Sequence, residues 1–268
     1  RDWHEPLETG RTDEIGRLAR AIESMRQRLV RQDKAQQFFL QNISHELKTP
    51  VMVIRSYVQS IRDNIFPKGT LEGSLDIISK ESERLERRIR DLLLLNKLNY
   101  LAAHEKPSVL FSVKPIMEDA IERLRYRRAD VTWELNMADA AQLHGDQEQW
   151  AVAIENLLDN QLRYAESTIH ITVDSSLENV DLKTESPMPV IRISNDGPPL
   201  DQALADSLFE PFRVGAHGEF GLGLAIVRQI AVNHGMTVRA ANEADAVAFY
   251  LEPNFMAASE ATQRESTA

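Results

Sequence analysis

Apolar residues in the first hundred positions recur by threes and fours. Ile15, Leu18, Ile22, Met25 and Leu29 form one such series, the seam of a coiled coil. From Phe38 the helical pattern continues to about Phe66, where Pro67-Lys68-Gly69 is expected to break it. A second seam follows through Leu71, Leu75, Ile78, Ser82, Leu85, Ile89 and Leu92. Two long amphipathic helices joined by a short turn make a hairpin, and a hairpin this narrow cannot bury its own apolar stripe. Two copies can, as a four-helix bundle, so the segment 36–104 reads as a dimerisation domain and the chain as a homodimer.

After Pro107 the texture changes. Residues 112–128 are expected to be helical, Val131 to Leu135 alternates as a strand, and Asp146 with Gln149 makes a capping-box-like helix start. Strand-like runs follow at Thr168 to Val173 and Val190 to Ser194, then a helix from about Leu222 to Asn233, then strands near Thr237 to Ala241 and Ala246 to Leu251. This mixture predicts an α+β sandwich over 105–255. Residues 256–268 are small and polar, the composition of a disordered tail.

Composition narrows the choice of function. A formal charge of −10 over 268 residues argues against nucleic acid as the main partner, because the phosphate backbone wants a basic face. With no cysteine, disulfides and thiolate metal sites are excluded. No apolar run, Leu92 to Leu95 among them, approaches the ~18 residues that cross a bilayer. A start at Arg1 without a signal peptide suggests a piece of a longer polypeptide.

The first cluster with chemistry is LQNISHELKTP, residues 40–50. His45 and Thr49 share a helix face at i and i+4, and Glu46 stands about 100° round from the histidine. An imidazole that titrates near pH 6.5 is largely neutral in a cell, with one ring nitrogen free to attack phosphorus. A neighbouring carboxylate can hold the other nitrogen's proton and stabilise the positive charge that develops. Pro50 removes an N–H and crowds the carbonyl of Glu46, a penalty of about 3 kcal/mol that is expected to bend the helix there. An HE pair alone is more often a helix surface with a stray histidine.

These residues resemble the H-box of the sensor histidine kinases, present here as Phe39, Ile43, Ser44, His45, Glu46, Leu47, Lys48, Thr49 and Pro50. Four more motifs follow in that family's order. ENLLDNQLRY puts Asn156, Asn160, Arg163 and Tyr164 on one side of a helix, where two side-chain carbonyl oxygens suit Mg²⁺ and the guanidinium suits phosphate. It resembles the N-box, which assigns Asn156 and Asn160 to the metal and the triphosphate. Gln161 departs from the family's small residue there, and its bulk is expected to narrow the packing beneath a nucleotide. Asn195, Asp196 and Gly197, followed by Pro198 and Pro199, resemble the G1 box, where a carboxylate accepts from the adenine amino group. The aligned residue here is Asn195, whose carbonyl can still accept, while the aspartate stands at 196 and Pro199 replaces the last glycine. Phe209 and Phe212 resemble the F-box. Gly218, Gly221 and Gly223, with Leu222 and Leu224 between and after them, resemble the G2 box at a helix start that can take a phosphate, and Arg213 lies on the lid between the boxes.

The resemblance covers residues 39–224 and extends upstream, since Asp13-Glu14-Ile15-Gly16 is similar to the second half of a HAMP relay module, giving residues 1–35 as its end and linker. It implies a kinase that uses ATP and Mg²⁺ to phosphorylate His45 and hands the phosphate to an aspartate on the receiver domain of a response regulator. It also implies that Glu46 and Thr49 help water remove that phosphate from the regulator, and that the chain is the cytoplasmic portion of a bacterial-type membrane-anchored protein. Two other readings compete. Gyrase-like ATPases of the same superfamily carry a glutamate four residues before the second asparagine, where this chain has Asn156 and Glu155 is a step off the face. A degenerate nucleotide-binding scaffold is supported only by Gln161, Asn195 and Pro199.

Overall fold

The computed structural model describes residues 13–101, 109–138, 141–174, 188–205, 207–213 and 221–254. Residues 256–268, expected to be a disordered tail, lie outside these. The chain forms two compact units that divide between Arg87 and Arg88.

In the first unit α1 runs unbroken over Glu14–Arg62. Its start is capped by Asp13, whose carboxylate accepts from Gly16 N at 3.0 Å, and Glu14 faces the positive end of the helix. Helix persists through Pro50, which is buried. One lost N–H costs a single hydrogen bond, and the ordered turns on either side of it propagate cooperatively. The helix also stops earlier than Phe66. Asn64 takes a left-handed φ of 56°, and Ile65 N–H returns to Ser60 O at 2.8 Å, closing the end four residues before the Pro67-Lys68-Gly69 breaker. α2 then spans Leu71–Leu101, with the Thr70 hydroxyl accepting from Gly73 N at 3.0 Å. Ile15, Leu18, Ile22, Met25 and Leu29 on α1, and Leu71, Leu75 and Ile89 on α2, are all exposed. The seams read from the sequence therefore lie open on a single copy.

The second unit is a two-layer α+β sandwich. β1 (Val109–Ser112) pairs antiparallel with β3 (Gln142–Gly145). A five-stranded sheet has the order β2, β4, β5, β7, β6, from Thr132–Met137, Thr168–Asp174, Val190–Asn195, Val247–Pro253 and Met236–Asn242 respectively. Only β2 and β4 run parallel, and the chain between them includes α4 (Gln147–Tyr164) as the crossover. With α3 (Val113–Arg125) and α6 (Gly223–Asn233), α4 packs on the sheet's apolar side; Ile169, Ile171 and Val173 of β4 are buried, as are Trp150, Ile154, Leu157 and Ile226 on the helices. Four-residue elements, β1, β3 and the short α5 (Gln202–Ala205), went unread in the sequence because they are too short to show a period.

Two contacts position the helices that carry the motifs. Asp146 caps α4 through Glu148 N and Gln149 N, as expected, and its own N–H donates to His234 Nε2 at 3.1 Å, tying the start of α4 to the end of α6. At the other end of α4, Arg128 donates to Ala165 O at 2.6 Å and Leu162 O at 3.3 Å, satisfying carbonyls the helix leaves open. Among the described residues no helix is long and apolar enough to cross a membrane.

Candidate functional site

On α1, His45 and Thr49 are exposed and Glu46 is half-buried. The Thr49 hydroxyl donates to His45 O at 3.2 Å, so the two members of the i, i+4 pair are held on one face. An exposed imidazole can be approached in line by an electrophile.

The other motif residues gather where α4, the end of β5 and the start of α6 meet. Asn156 donates through Nδ2 to Val152 O at 2.9 Å. A carbonyl only accepts, so this bond fixes the amide and identifies the other terminal atom as Oδ1. A Cβ on Gly223 would lie 2.6 Å from that oxygen, which brings the first residue of α6 directly against Asn156. Leu222 precedes α6 without making a side-chain cap. Leu222 is buried and Leu224 half-buried. On α4, Asn160 is half-buried. Oxygen donors beside a helix start are a set that suits a hard cation carrying phosphate.

Not every predicted residue is turned to that use. Arg163 pairs with Asp159 at 3.2 Å, and Asp159 also takes Arg127. Arg213 is exposed and its Nε lies 3.4 Å from Glu210. Phe209 is buried edge-on to Phe249, with ring centroids 5.9 Å apart, and so serves the core. Phe212 has a left-handed φ of 65° and donates its N–H to Gly221 O at 2.8 Å, closing the base of the segment between them. Gly221 shares that conformation, with φ 68°. Gly218 lies outside the described residues.

At the end of β5 the backbone turns back on α4. Asn195 is 2% exposed; its Oδ1 accepts from Gly197 N at 2.8 Å and its Nδ2 donates to Gln161 Oε1 at 2.6 Å. A Cβ at Gly197 would sit 1.9 Å from Tyr164 O, so only glycine permits this approach. Gln161, read from the sequence only as bulk, is thus the partner of Asn195; the signal was that both departures from the N-box and G1 patterns occur together.

Asp196 is engaged by a neighbouring loop. Its carboxylate accepts from Glu166 N at 2.9 Å, from Ser167 N at 3.0 Å and from the Ser167 hydroxyl. Partial burial pushes its pKa up, but the Ser167 hydroxyl and the backbone N–H groups outweigh that and hold it well below the usual carboxylate range. As pH falls below about 4, the unfolded chain takes up this proton before the folded one does, and stability is lost in that window. Asp196→Asn is expected to flatten this acid limb, measured as the urea midpoint between pH 3 and pH 7; an unchanged pH profile would remove Asp196 from the account.

Residues 35–101 match the His Kinase A (phospho-acceptor) domain, residues 145–255 the histidine kinase-, DNA gyrase B- and HSP90-like ATPase, and residues 1–31 the HAMP domain. The sensor histidine kinase CssS of Bacillus subtilis (strain 168) is 45% identical over 248 residues, covering 92% of this chain and 53% of that protein. The chain spans about half the length of the curated relatives it matches. Among solved structures, the Acinetobacter baumannii histidine kinase AdeS shares the fold with a TM-score of 0.64 at 24% identity, over 78% of this chain and 96% of that one. Histidine kinase ThkA, solved in complex with response regulator protein TrrA, aligns with a TM-score of 0.62 at 20% identity over 87% of this chain and 65% of that one. The chain belongs to the two-component sensor histidine kinases, of which it carries the HAMP, phosphoacceptor and ATPase domains.

Proposed function

We propose that this chain uses ATP to phosphorylate His45 and passes the phosphoryl group to an aspartate of a response-regulator receiver domain. The observation that carries the reading is an exposed His45, with Glu46 beside it, in a phosphoacceptor domain joined to an ATPase domain whose Asn156 carbonyl oxygen lies at the start of α6. The lone pair of one His45 nitrogen forms the bond to the γ-phosphorus as the bond from that phosphorus to the bridging oxygen breaks and ADP leaves. Glu46 receives or holds the proton of the other ring nitrogen, which keeps the attacking one neutral. Asn156 and Asn160 would hold Mg²⁺, which supplies charge neutralisation for the triphosphate. Because phosphoryl transfer needs mostly positioning and neutralisation, few covalent catalysts are required. Transfer of label from γ-labelled ATP to protein in an acid-labile form tests the reading, whereas release of phosphate with no labelled protein would favour hydrolysis.

The same reading takes the active form as a homodimer, since the open seams on α1 and α2 need a second copy to cover them. Leu75→Glu with Ile89→Glu is expected to convert a dimer to monomer in sedimentation, because two carboxylates in an apolar seam cost several kcal/mol. A variant that remains dimeric would place the dimer contact elsewhere. Glu46 and Thr49 would also aid water in removing phosphate from the regulator. The HAMP match and the greater length of the relatives support a full-length protein anchored in the membrane, with this chain on the cytoplasmic side.

A further inference from the structure

His234 closes α6, and what its two ring nitrogens meet fixes its state. Ile230 O can only accept, so Nδ1, 2.7 Å from it, carries the proton. Asp146 N–H can only donate, so Nε2, which it meets at 3.1 Å, is the bare acceptor. The imidazole is therefore the neutral Nδ1–H tautomer, with both nitrogens committed. Its ring is confined as well. A Cβ on Gly145 would lie 2.0 Å from His234 Cδ2, and the Trp150 ring, 0% exposed, stands 5.2 Å away, centroid to centroid. The start of α4 is thus held at the end of α6, while Asn156, farther along α4, meets Gly223 at the start of α6, so the two helices run antiparallel. The rise from Asp146 to Asn156 is roughly 15 Å and that from His234 back to Gly223 roughly 16 Å. The two spans match, so any slip of α4 along α6 at the His234 end would part Asn156 from Gly223.

We infer that His234 is a positioning residue for the nucleotide site, a pin that sets the register of α4 against α6 and so holds Asn156 against the first residue of α6. This rests on the nucleotide reading above, and His234 itself touches no substrate. Apolar burial between the two helices is non-directional and tolerates a small slide along their axes. A hydrogen bond is directional and weakens steeply off line, and here the acceptor ring is itself tethered to Ile230 O, so the slide has a cost. An imidazole suits the task because it accepts on one side and donates on the other while its ring occupies the space beside Gly145. The neighbouring residue makes a different link. Asn233 Nδ2 donates to Leu98 O at 3.0 Å, which ties the end of α6 to the end of α2 and leaves the register with α4 to His234.

Equilibrium binding of ATP to the full chain, read by displacement of trinitrophenyl-ATP, tests the pin. His234→Phe keeps a flat ring but has no acceptor, and it is expected to bind ATP about fivefold to tenfold more weakly, the scale of one hydrogen bond lost. His234→Gln can still accept from Asp146 N–H through its amide oxygen and should return to within about twofold of wild type. Asn233→Ala and Gly235→Ala, on either side of His234, weaken the end of α6 without removing the acceptor; both should melt earlier yet bind ATP within about twofold of wild type. A folded His234→Phe that binds as wild type does overturns the inference. So does a His234→Gln as weak as His234→Phe, or a loss at Asn233→Ala equal to that at His234→Phe. The wild-type chain gives a further readout should His234→Phe not fold: nitrogen-15 correlation spectra of the imidazole, assigned with His234→Gln, should show His234 protonated on Nδ1 alone, and a proton on Nε2 overturns the inference. Absence of ATP binding by the wild type would instead overturn the kinase reading, and this one with it.

Discussion

A chain carrying His45→Gln is expected to take up no acid-labile label from γ-labelled ATP, a fall of at least about a thousandfold, while binding nucleotide as the wild type does. Glutamine keeps a polar side chain of comparable reach but has no basic nitrogen to attack phosphorus. Because His45 is exposed, its replacement leaves no buried cavity or orphaned partner, and stability should stay within about 0.5 kcal/mol of wild type. The contrast between intact binding and absent label is what distinguishes a phosphoacceptor from a residue that props up the fold. Label of wild-type intensity on the variant would move the acceptor to another side chain, and acid-stable label would indicate a hydroxyl ester in place of a phosphoramidate.

Gly197→Ala should have the next largest effect, and on a different property. The added methyl would lie 1.9 Å from Tyr164 O and 2.7 Å from Asn195 Oδ1. Tyr164 O is backbone at the last turn of α4, which Arg128 also holds through Leu162 and Ala165, so no rotamer change can relieve the overlap. The turn after β5 must part from α4, and the Gly197 N–H bond that orients Asn195 goes with it. Overpacking of this kind costs about 1–3 kcal/mol, and the cost here belongs at the upper end because backbone must move. Nucleotide affinity should fall at least tenfold. Gly235→Ala is the control: its φ is 72° with nothing within 4 Å of the new methyl, so it carries backbone strain of about 1–2 kcal/mol and no overlap. The urea midpoint should fall in both, and nucleotide affinity only at Gly197. Equal affinities in the two variants would detach the turn from the site.

Much of the architecture was legible from local pattern. The seams at Ile15 to Leu29 and Leu71 to Leu92 lie on α1 and α2, and the alternation at Thr168 to Val173 is β4 with one residue added. The Asp146 cap begins α4 one residue later, as read. Period and capping are short-range, so they survive in the sequence alone. The helix end read near Phe66 misled for the converse reason. A left-handed Asn64 ends the helix before the stronger breaker is reached.

The candidate site divides along the same line. That His45 and Thr49 share a face, and that Asn156 and Asn160 share another, follows from 3.6 residues per turn and needs no tertiary structure. Which atoms those residues present does need it. Asn195 reads as an acceptor with two exchangeable ends until Gly197 and Gln161, the latter 34 positions away, fix it. Asp196 reads as a substitute carboxylate until the backbone at Glu166 and Ser167 takes it. Sequence by itself determined the elements and the residues that bear chemistry, because helix and strand periods and caps are set by near neighbours. The packing of α4 against the end of β5 decided which lone pair or proton each residue has left to offer, because hydrogen-bond partners distant in sequence leave no period to read.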